Sequence, residues 1–161
     1  MVEFLYCILI VLIFLIGFLF KMSSSKYIKK EIGIDISSCE IIKDLDTHGG
    51  CMGGGSYLLV ADCEKVRGDI LQQMSNWKKF PLSENLQLEI YGGEKDGVTF
   101  ASNDYASIPK IENGYYYFYN RHHEAKSAFS DEDLFDNFSY NYTVSFYDED
   151  TNFFYYFEMD T

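Results

Sequence analysis

Three side chains at alternating positions could together hold a metal ion. Asp44, Asp46 and His48 are two residues apart, so in a β-strand all three would point to one face. Carboxylate oxygens and imidazole nitrogens are common metal ligands, and His122 or His123 could complete the set. Acids at this spacing are also common on the wet face of a strand, and no ligand set of fixed spacing is present. The sequence leaves Asp44, Asp46, His48 and His123 as metal candidates and indicates no cofactor.

A glycine-rich loop follows His48, with five glycines among residues 49–55. Backbone amides in such a loop can cradle an anion, but no Gly-Lys-Ser/Thr follows and the next element is a predicted strand, so this is not a P-loop. A hairpin connection in which glycine supplies positive φ is the favoured interpretation. Cys51 beside His48 suggests a nucleophile and base, yet no third group orients them.

A second polar group, Arg121-His122-His123-Glu124, ends a predicted strand and could orient an acidic ligand. Adjacent histidines in a strand point to opposite faces, so at most one of the two serves a given site. These patterns predict a binding set and no catalytic residue, which makes an enzyme the less favoured hypothesis. The predicted binding residues are Asp46, His48, Gly49, Gly50, Arg121 and His122.

The net charge of −12 constrains the partner. Residues 127–161 carry nine acids and no base. An acidic surface repels phosphate backbones, so nucleic acid is not expected as a partner. Solubility alone explains acidity of this kind. A basic protein partner is the more specific hypothesis.

The N-terminal residues 4–20 form an uncharged apolar run of the length that spans a bilayer as a helix. Only Glu3 is charged before this run, which argues against a cleavable signal peptide. We therefore predict a transmembrane anchor at residues 1–21, a polar basic tether at 22–33 and one domain at 34–161. The membrane is the partner of residues 4–20.

Lys21, Lys26, Lys29 and Lys30 follow the apolar run, so the positive-inside rule places the domain in the cytoplasm of a single-pass membrane protein. The domain has an odd number of cysteines, at positions 39, 51 and 63, which is typical of reduced thiols.

The pattern of the domain predicts an α+β fold: an N-terminal transmembrane helix, then an antiparallel sheet of about five strands with one main helix packed on it. Residues 40–46 and 56–62 should pair as a hairpin, and 64–77 carries one apolar helical stripe. Residues 115–120, 138–146 and 153–159 read as strands, with aromatics on both faces of the last. Residues 83–91 are ambiguous, and 94–110 reads as a long loop.

Four segments carry a resemblance: Asp-Thr-His-Gly-Gly at 46–50, Trp-Lys-Lys-Phe-Pro-Leu-Ser-Glu-Asn at 77–85, Ile-Glu-Asn-Gly-Tyr-Tyr at 111–116 and the ending at 157–161. Over residues 34–161 the chain resembles a group of uncharacterised small Gram-positive bacterial proteins, membrane-anchored or lipoprotein-like. The resemblance implies no activity, and it implies an extracellular domain. Similar sequences continue the loop with an aromatic residue, His, Gly, Asp and Gly, where this chain has Cys51, Met52 and three glycines. That departure weakens a metal site.

The leading hypothesis is a membrane-tethered, non-enzymatic module that binds another protein, with an immunity-like role against a basic toxin as one version. The anchor, the acidity and the aromatic sheet motivate it. The alternative is a metal-dependent hydrolase or small-ligand domain centred on Asp46 and His48. A structural role in an envelope complex is a third hypothesis.

Overall fold

The computed structural model of the chain describes residues 24–49, 54–102, 107–136 and 138–161. In this part of the chain there are eight strands and three short helices. Six strands form one antiparallel sheet in the order β1-β2-β8-β7-β6-β3, and β4 and β5 form a separate two-stranded ribbon. The strands are β1 (Glu40–Asp46), β2 (Gly55–Asp62), β3 (Lys78–Lys79), β4 (Gly93–Lys95), β5 (Val98–Phe100), β6 (Gly114–Asn120), β7 (Asn141–Asp148) and β8 (Phe153–Asp160).

Three helices flank the sheet. Helix α1 covers residues 24–32, α2 is Arg67–Gln73 after a 3-10 turn at Glu64–Val66, and α3 is Glu84–Tyr91. Helix α3 begins at Ser83, whose side chain accepts a hydrogen bond from the backbone of Leu86 and so caps a free amide. It ends at Gly92, which adopts a φ of 72° that glycine tolerates best.

Each face of the sheet is covered by its own apolar cluster. Because β7 and β8 lie in the middle of the sheet, their side chains alternate between the two clusters. Val144, Phe146 and Phe157 lie in the cluster with α3, whereas Phe154 and Tyr156 lie in the cluster with α1 and α2. The aromatics on both faces of β8 are therefore core residues.

A disulfide joins Cys39 to Cys63. These residues stand just before β1 and just after β2, so the bond closes the open end of the β1–β2 hairpin, where Glu40 pairs with Asp62. The prediction of reduced thiols is wrong for these two cysteines. An odd count fails as a signal because it cannot show which two cysteines the hairpin register brings together.

The predicted fold class is wrong as stated. The described chain is mostly sheet, with eight strands instead of about five and three short helices instead of one main helix. Only the mixture of helix with antiparallel sheet is retained. The predicted transmembrane anchor at residues 1–21 lies outside the described residues, and no helix within the described ranges is long and apolar enough to cross a membrane.

Several element boundaries also differ from the predictions. The helix predicted at 64–77 is shorter in the structure: residues 64–66 form the 3-10 turn, and α2 ends at Gln73. The last part of the predicted apolar stripe lies after the helix. Part of the loop predicted at 94–110 belongs to the β4–β5 ribbon. Residues 24–32, assigned to the tether, form α1, where Ile28 is fully buried under the sheet. The hairpin of β1 and β2 and the strand β6 lie where the sequence predicts them.

Candidate functional site

A cleft of about 820 Å³ opens where the C-terminal ends of β1 and β8 meet the first described residues of α1. Four carboxylates and three aromatic side chains line it, and α1 supplies a hydroxyl. The lining residues are Ser24, Tyr27, Asp44, Asp46, His48, Tyr57, Glu158 and Asp160. The antiparallel pairing of β2 with both β1 and β8 brings these distant segments together, since Tyr57 pairs with Asp46 on one side and with Glu158 on the other.

His48 lies between two carboxylates. Its Nδ1 is 2.7 Å from Asp46 Oδ1 and its Nε2 is 3.0 Å from Asp160 Oδ2. The His48 backbone N–H also donates to Asp46 Oδ1, over 2.8 Å. Both ring nitrogens therefore face acceptors, which is the pattern of a protonated imidazolium that donates twice.

Arg121 extends this chain of charges. One terminal nitrogen of its guanidinium lies 3.0 Å from Asp160 Oδ1 and also donates to the Tyr142 carbonyl oxygen. Asp160 thus binds His48 through one oxygen and Arg121 through the other. The network connects the end of β1 to the end of β8 and to the residue that follows β6.

The carboxylates set the protonation state of His48. Burial on its own would lower the pKa of the imidazole, but the hydrogen bonds and negative charges of Asp46 and Asp160 outweigh it and raise the pKa above its usual value. An imidazolium with both nitrogens engaged is neither a general base nor a metal ligand. In this arrangement His48 acts as a positively charged cross-link.

Glu158 is the buried carboxylate of the cleft, with a relative exposure of 3%. Three hydroxyls donate to it: Tyr27 over 3.0 Å, Tyr156 over 2.7 Å and Thr143 over 3.4 Å. Among the described lysines and arginines, none lies within ion-pair distance of Glu158. Within the described residues, the carboxylate of Glu158 is therefore held by neutral hydroxyl donors and has no cation beside it.

The tyrosines around Glu158 are held in their protonated form. Burial raises the pKa of Tyr27 to about 12, with the nearby charge and hydrogen bond of Glu158 adding to the effect. The pKa of Tyr156 is raised for the same reasons. Both hydroxyls therefore remain donors to Glu158 across the neutral pH range.

Beside His48, the two chain segments that extend from β1 and β2 into the hairpin loop approach each other closely. Thr47 exchanges backbone and side-chain hydrogen bonds with Ser56, at 2.8 to 3.0 Å. A Cβ on Gly55 would stand 2.6 Å from the His48 Cα, so only glycine fits there. The predicted reason for the loop glycines, a positive φ, does not apply to Gly49, Gly54 or Gly55; close approach explains Gly55 instead.

Asp44 lies on the outer side of the cleft and accepts a hydrogen bond of 2.6 Å from Ser24 Oγ at the start of α1. The carboxylate is otherwise exposed on β1. Helix α1 is held farther along by Lys29, whose ammonium lies 2.7 Å from Asp35. The Ser24–Asp44 hydrogen bond thereby joins the α1 side of the cleft to the edge strand β1.

The structure brings together part of the predicted binding set. Asp46, His48 and Arg121 meet through Asp160, and Gly49 borders them, whereas Gly50 and Cys51 lie outside the described residues. His122 accepts from the Glu124 backbone and stacks on His123, which is exposed and 3.9 Å from the carboxylate of Glu124.

The structure brings together three of the four metal candidates, Asp44, Asp46 and His48, and places His123 elsewhere. His48 is engaged at both nitrogens, and His123 contacts Glu124 instead of Asp44 or Asp46. Within the part of the chain that the structure describes, no group of three or more His, Cys, Asp or Glu side chains is arranged to hold a metal ion.

Sequence reasoning missed the residues contributed by β8 and α1. Glu158 and Asp160 are two apart, so they share one strand face, and this alternation was a visible signal. Their placement beside His48 depends on the β2–β8 pairing, which joins residues about a hundred positions apart. Tyr27 had no signal, because it lies in a segment that looks like a polar tether.

The chain matches no family model, no curated protein and no solved structure.

Proposed function

We propose that this domain is a non-enzymatic protein-binding module that recognises a basic segment of its partner at the acidic cleft. The observation that carries the proposal is the cleft itself, in which Asp44, Asp46, Asp160 and the buried Glu158 surround one opening. Only two cations, His48 and Arg121, offset these four acids in the network described above. A lysine or arginine from a partner would supply the missing positive charge.

The aromatic lining supports the same partner chemistry. Tyr27 and Tyr57 line the cleft together with the acids, and cations are attracted to aromatic rings as well as to carboxylates. His48 has both ring nitrogens engaged by carboxylates, so it is not free to act as a general base. The resemblance to lipoprotein-like bacterial proteins stays a proposal, and so does an immunity-like role against a basic toxin.

The disulfide supports placing the domain outside the cytoplasm. Disulfides form and persist in oxidising compartments and are rare in the reducing cytosol. Cys39 and Cys63 are bonded, which favours the extracellular placement over the cytoplasmic one predicted from the lysines. Membrane attachment through residues 4–20 stays a prediction, because those residues lie outside the described part of the chain.

The alternative of a metal-dependent hydrolase stays a weaker hypothesis. Its proposed centre, Asp46 and His48, is occupied by hydrogen bonds between these side chains and Asp160. Stoichiometric metal, found by elemental analysis of the purified chain, would support the hydrolase alternative.

Co-purification at low salt tests the proposed function. The full chain should retain a stoichiometric protein whose bound segment is rich in Lys or Arg, and the complex should dissociate as salt screens the charges. The variant Asp44→Lys should lose this protein, and Glu40→Lys serves as the matched control, because both acids are exposed on β1 and only Asp44 lines the cleft. Equal retention by both variants, or no stoichiometric basic protein at all, would count against the proposal.

The location is tested by labelling intact cells with a membrane-impermeant amine reagent. Modification of Lys78 and Lys79, both exposed in β3, is expected in intact cells. Modification of these lysines only after lysis would indicate that the domain lies in the cytoplasm.

A further inference from the structure

The outer edge of β1 is open. Within the described residues β1 pairs with β2 alone, so the backbone groups on its other side have no strand partner. Side chains along it are exposed, including Ile42 at 56% and Leu45 at 46%. A bulge lies between Ile41 and Lys43, and from Lys43 to Asp46 the pairing with β2 is regular. Exposed strand edges with regular geometry accept an added strand.

We infer that β1 binds an extended basic segment of the partner by strand addition, with Lys or Arg side chains of that segment reaching the acidic cleft. This inference rests on the proposed function and deepens it, since it names how the basic segment is held. Asp44 and Asp46 are two residues apart, so both point to the face on which the cleft lies. A strand added beside β1 would carry every second side chain to that same face.

The charge of β1 selects the occupant. In the regular part of β1, from Lys43 to Asp46, Asp44 and Asp46 outweigh the single base Lys43, so an acidic segment would be repelled. Basic side chains opposite Asp44 and Asp46 would be favourable cross-strand pairs. The exposed Ile42 and Leu45 would be covered by apolar side chains of the added strand.

A second copy of this chain would pair poorly with β1 through its own β1 strand. Symmetric antiparallel pairing centred on residue 43 sets Lys43 against itself and Glu40 against Asp46. Centring it on residue 44 sets Asp44 against itself, and centring it on residue 45 sets Asp44 against Asp46. Like charges directly opposite each other destabilise a strand pair. The basic edge at the other side of the sheet, β3, has only two residues to offer.

Short synthetic peptides test the inference on the full chain. The first alternates Lys and Thr; the second has the same sequence with every backbone nitrogen methylated, which keeps the charge and removes the amide donors; the third alternates Glu and Thr. Binding is measured by fluorescence anisotropy at low salt. The Lys–Thr peptide should bind, the methylated peptide should bind at least about tenfold more weakly, and the Glu–Thr peptide should not bind.

Variants locate the binding. Asp44→Lys should weaken the Lys–Thr peptide by about tenfold or more, and Glu40→Lys should change it much less, because Glu40 lies beyond the bulge and away from the cleft. Thermal unfolding of both variants checks that they fold.

The outcomes separate the two proposals. Equal binding of the methylated and unmethylated peptides would overturn strand addition and leave recognition of a basic partner standing. No binding of either, or equal weakening by both variants, would overturn the inference as well. The proposed function is then decided by the co-purification alone.

Discussion

The two edges of the six-stranded sheet differ in length, charge and exposure. The β3 edge is two residues long, both lysines, whose ammonium groups lie 5.9 and 5.4 Å from the ring centres of Tyr116 and Tyr115. The β1 edge is seven residues long and mainly acidic, and it exposes two aliphatic side chains. Short lysine-bearing edges prevent unwanted strand pairing. One edge is therefore short and carries lysines, whereas the other is longer, mainly acidic and unpaired within the described residues, and it is the edge at which we propose that the basic segment binds.

The structure also stabilises β1 at both ends. A disulfide closes one end of the β1–β2 hairpin, and the Asp46–His48–Asp160 network closes the other. A strand that is to receive a partner must keep its own geometry while one side remains unpaired. Reinforcement at both ends supplies that geometry, and each reinforcement can be removed separately.

The largest expected effect comes from removing the disulfide. The double variant Cys39→Ser/Cys63→Ser should lose about 3 kcal/mol of unfolding free energy, because the bond constrains the unfolded chain. Urea unfolding without reductant measures the loss. Amides of β1 should exchange faster than those of β6 in the same variant. Alkylation of both cysteines in the unreduced, denatured wild-type protein would contradict the structure.

The next effect comes from Gly55. A Cβ there would meet the His48 backbone at 2.6 Å, so Gly55→Ala should cost about 2 kcal/mol through overpacking. Gly49→Ala is the control, because nothing lies within 4 Å of its added Cβ and its φ is not positive. Thermal unfolding of the two variants gives the comparison. Equal stability of both would mean that the hairpin does not close against His48.

A smaller effect comes from His48. Because its pKa is raised in the folded state, its stabilising contribution is complete below the unfolded pKa of about 6.5 and is lost as pH rises through the folded pKa. His48→Gln should lower the free energy of unfolding by about 1 kcal/mol at pH 6 and by less at pH 9. Urea unfolding across this range measures the slope. The exposed His123, changed to Gln, should leave the profile unchanged; the same slope in both variants would refute the network.

The smallest effect is expected at the protected edge. Lys79→Glu should remove an exposed cation–π contact with Tyr115 and cost about 0.5 kcal/mol. Binding of the Lys–Thr peptide should not change, because β3 lies at the far side of the sheet from the cleft. Titration of the peptide against this variant checks it. Stronger binding than to the wild type would mean that net charge, not the β1 edge, attracts the peptide.

Local signals predicted the elements that carry their own pattern. The hairpin of β1 and β2 follows from two apolar strands around glycines. Residues 83–91 were ambiguous in the sequence, and the structure shows α3 there, with Ser83 and Gly92 as its cap residues. The α1 segment escaped prediction because its lysines and serines look like a tether, although Ser25 and Ile28 are buried in it. The burial of two residues in a polar stretch depends on a sheet that the sequence does not display.

Only part of the candidate site could be predicted from the sequence. Asp46, His48 and Arg121 were named from their residue types, but Asp160 and Glu158 complete the site through pairing of β2 with β8. Such pairing joins segments about a hundred residues apart, and no local periodicity records it. The disulfide was missed for a related reason, since the register of β1 against β2 decides which cysteines meet.

Hydrogen–deuterium exchange of the full chain, with and without the Lys–Thr peptide, tests the central claim most directly. If β1 receives a basic strand, the peptide should slow amide exchange in Lys43–Asp46 and leave Lys78–Lys79 unchanged. Unchanged exchange in Lys43–Asp46 under saturating peptide, or equal protection at both edges, would contradict the account.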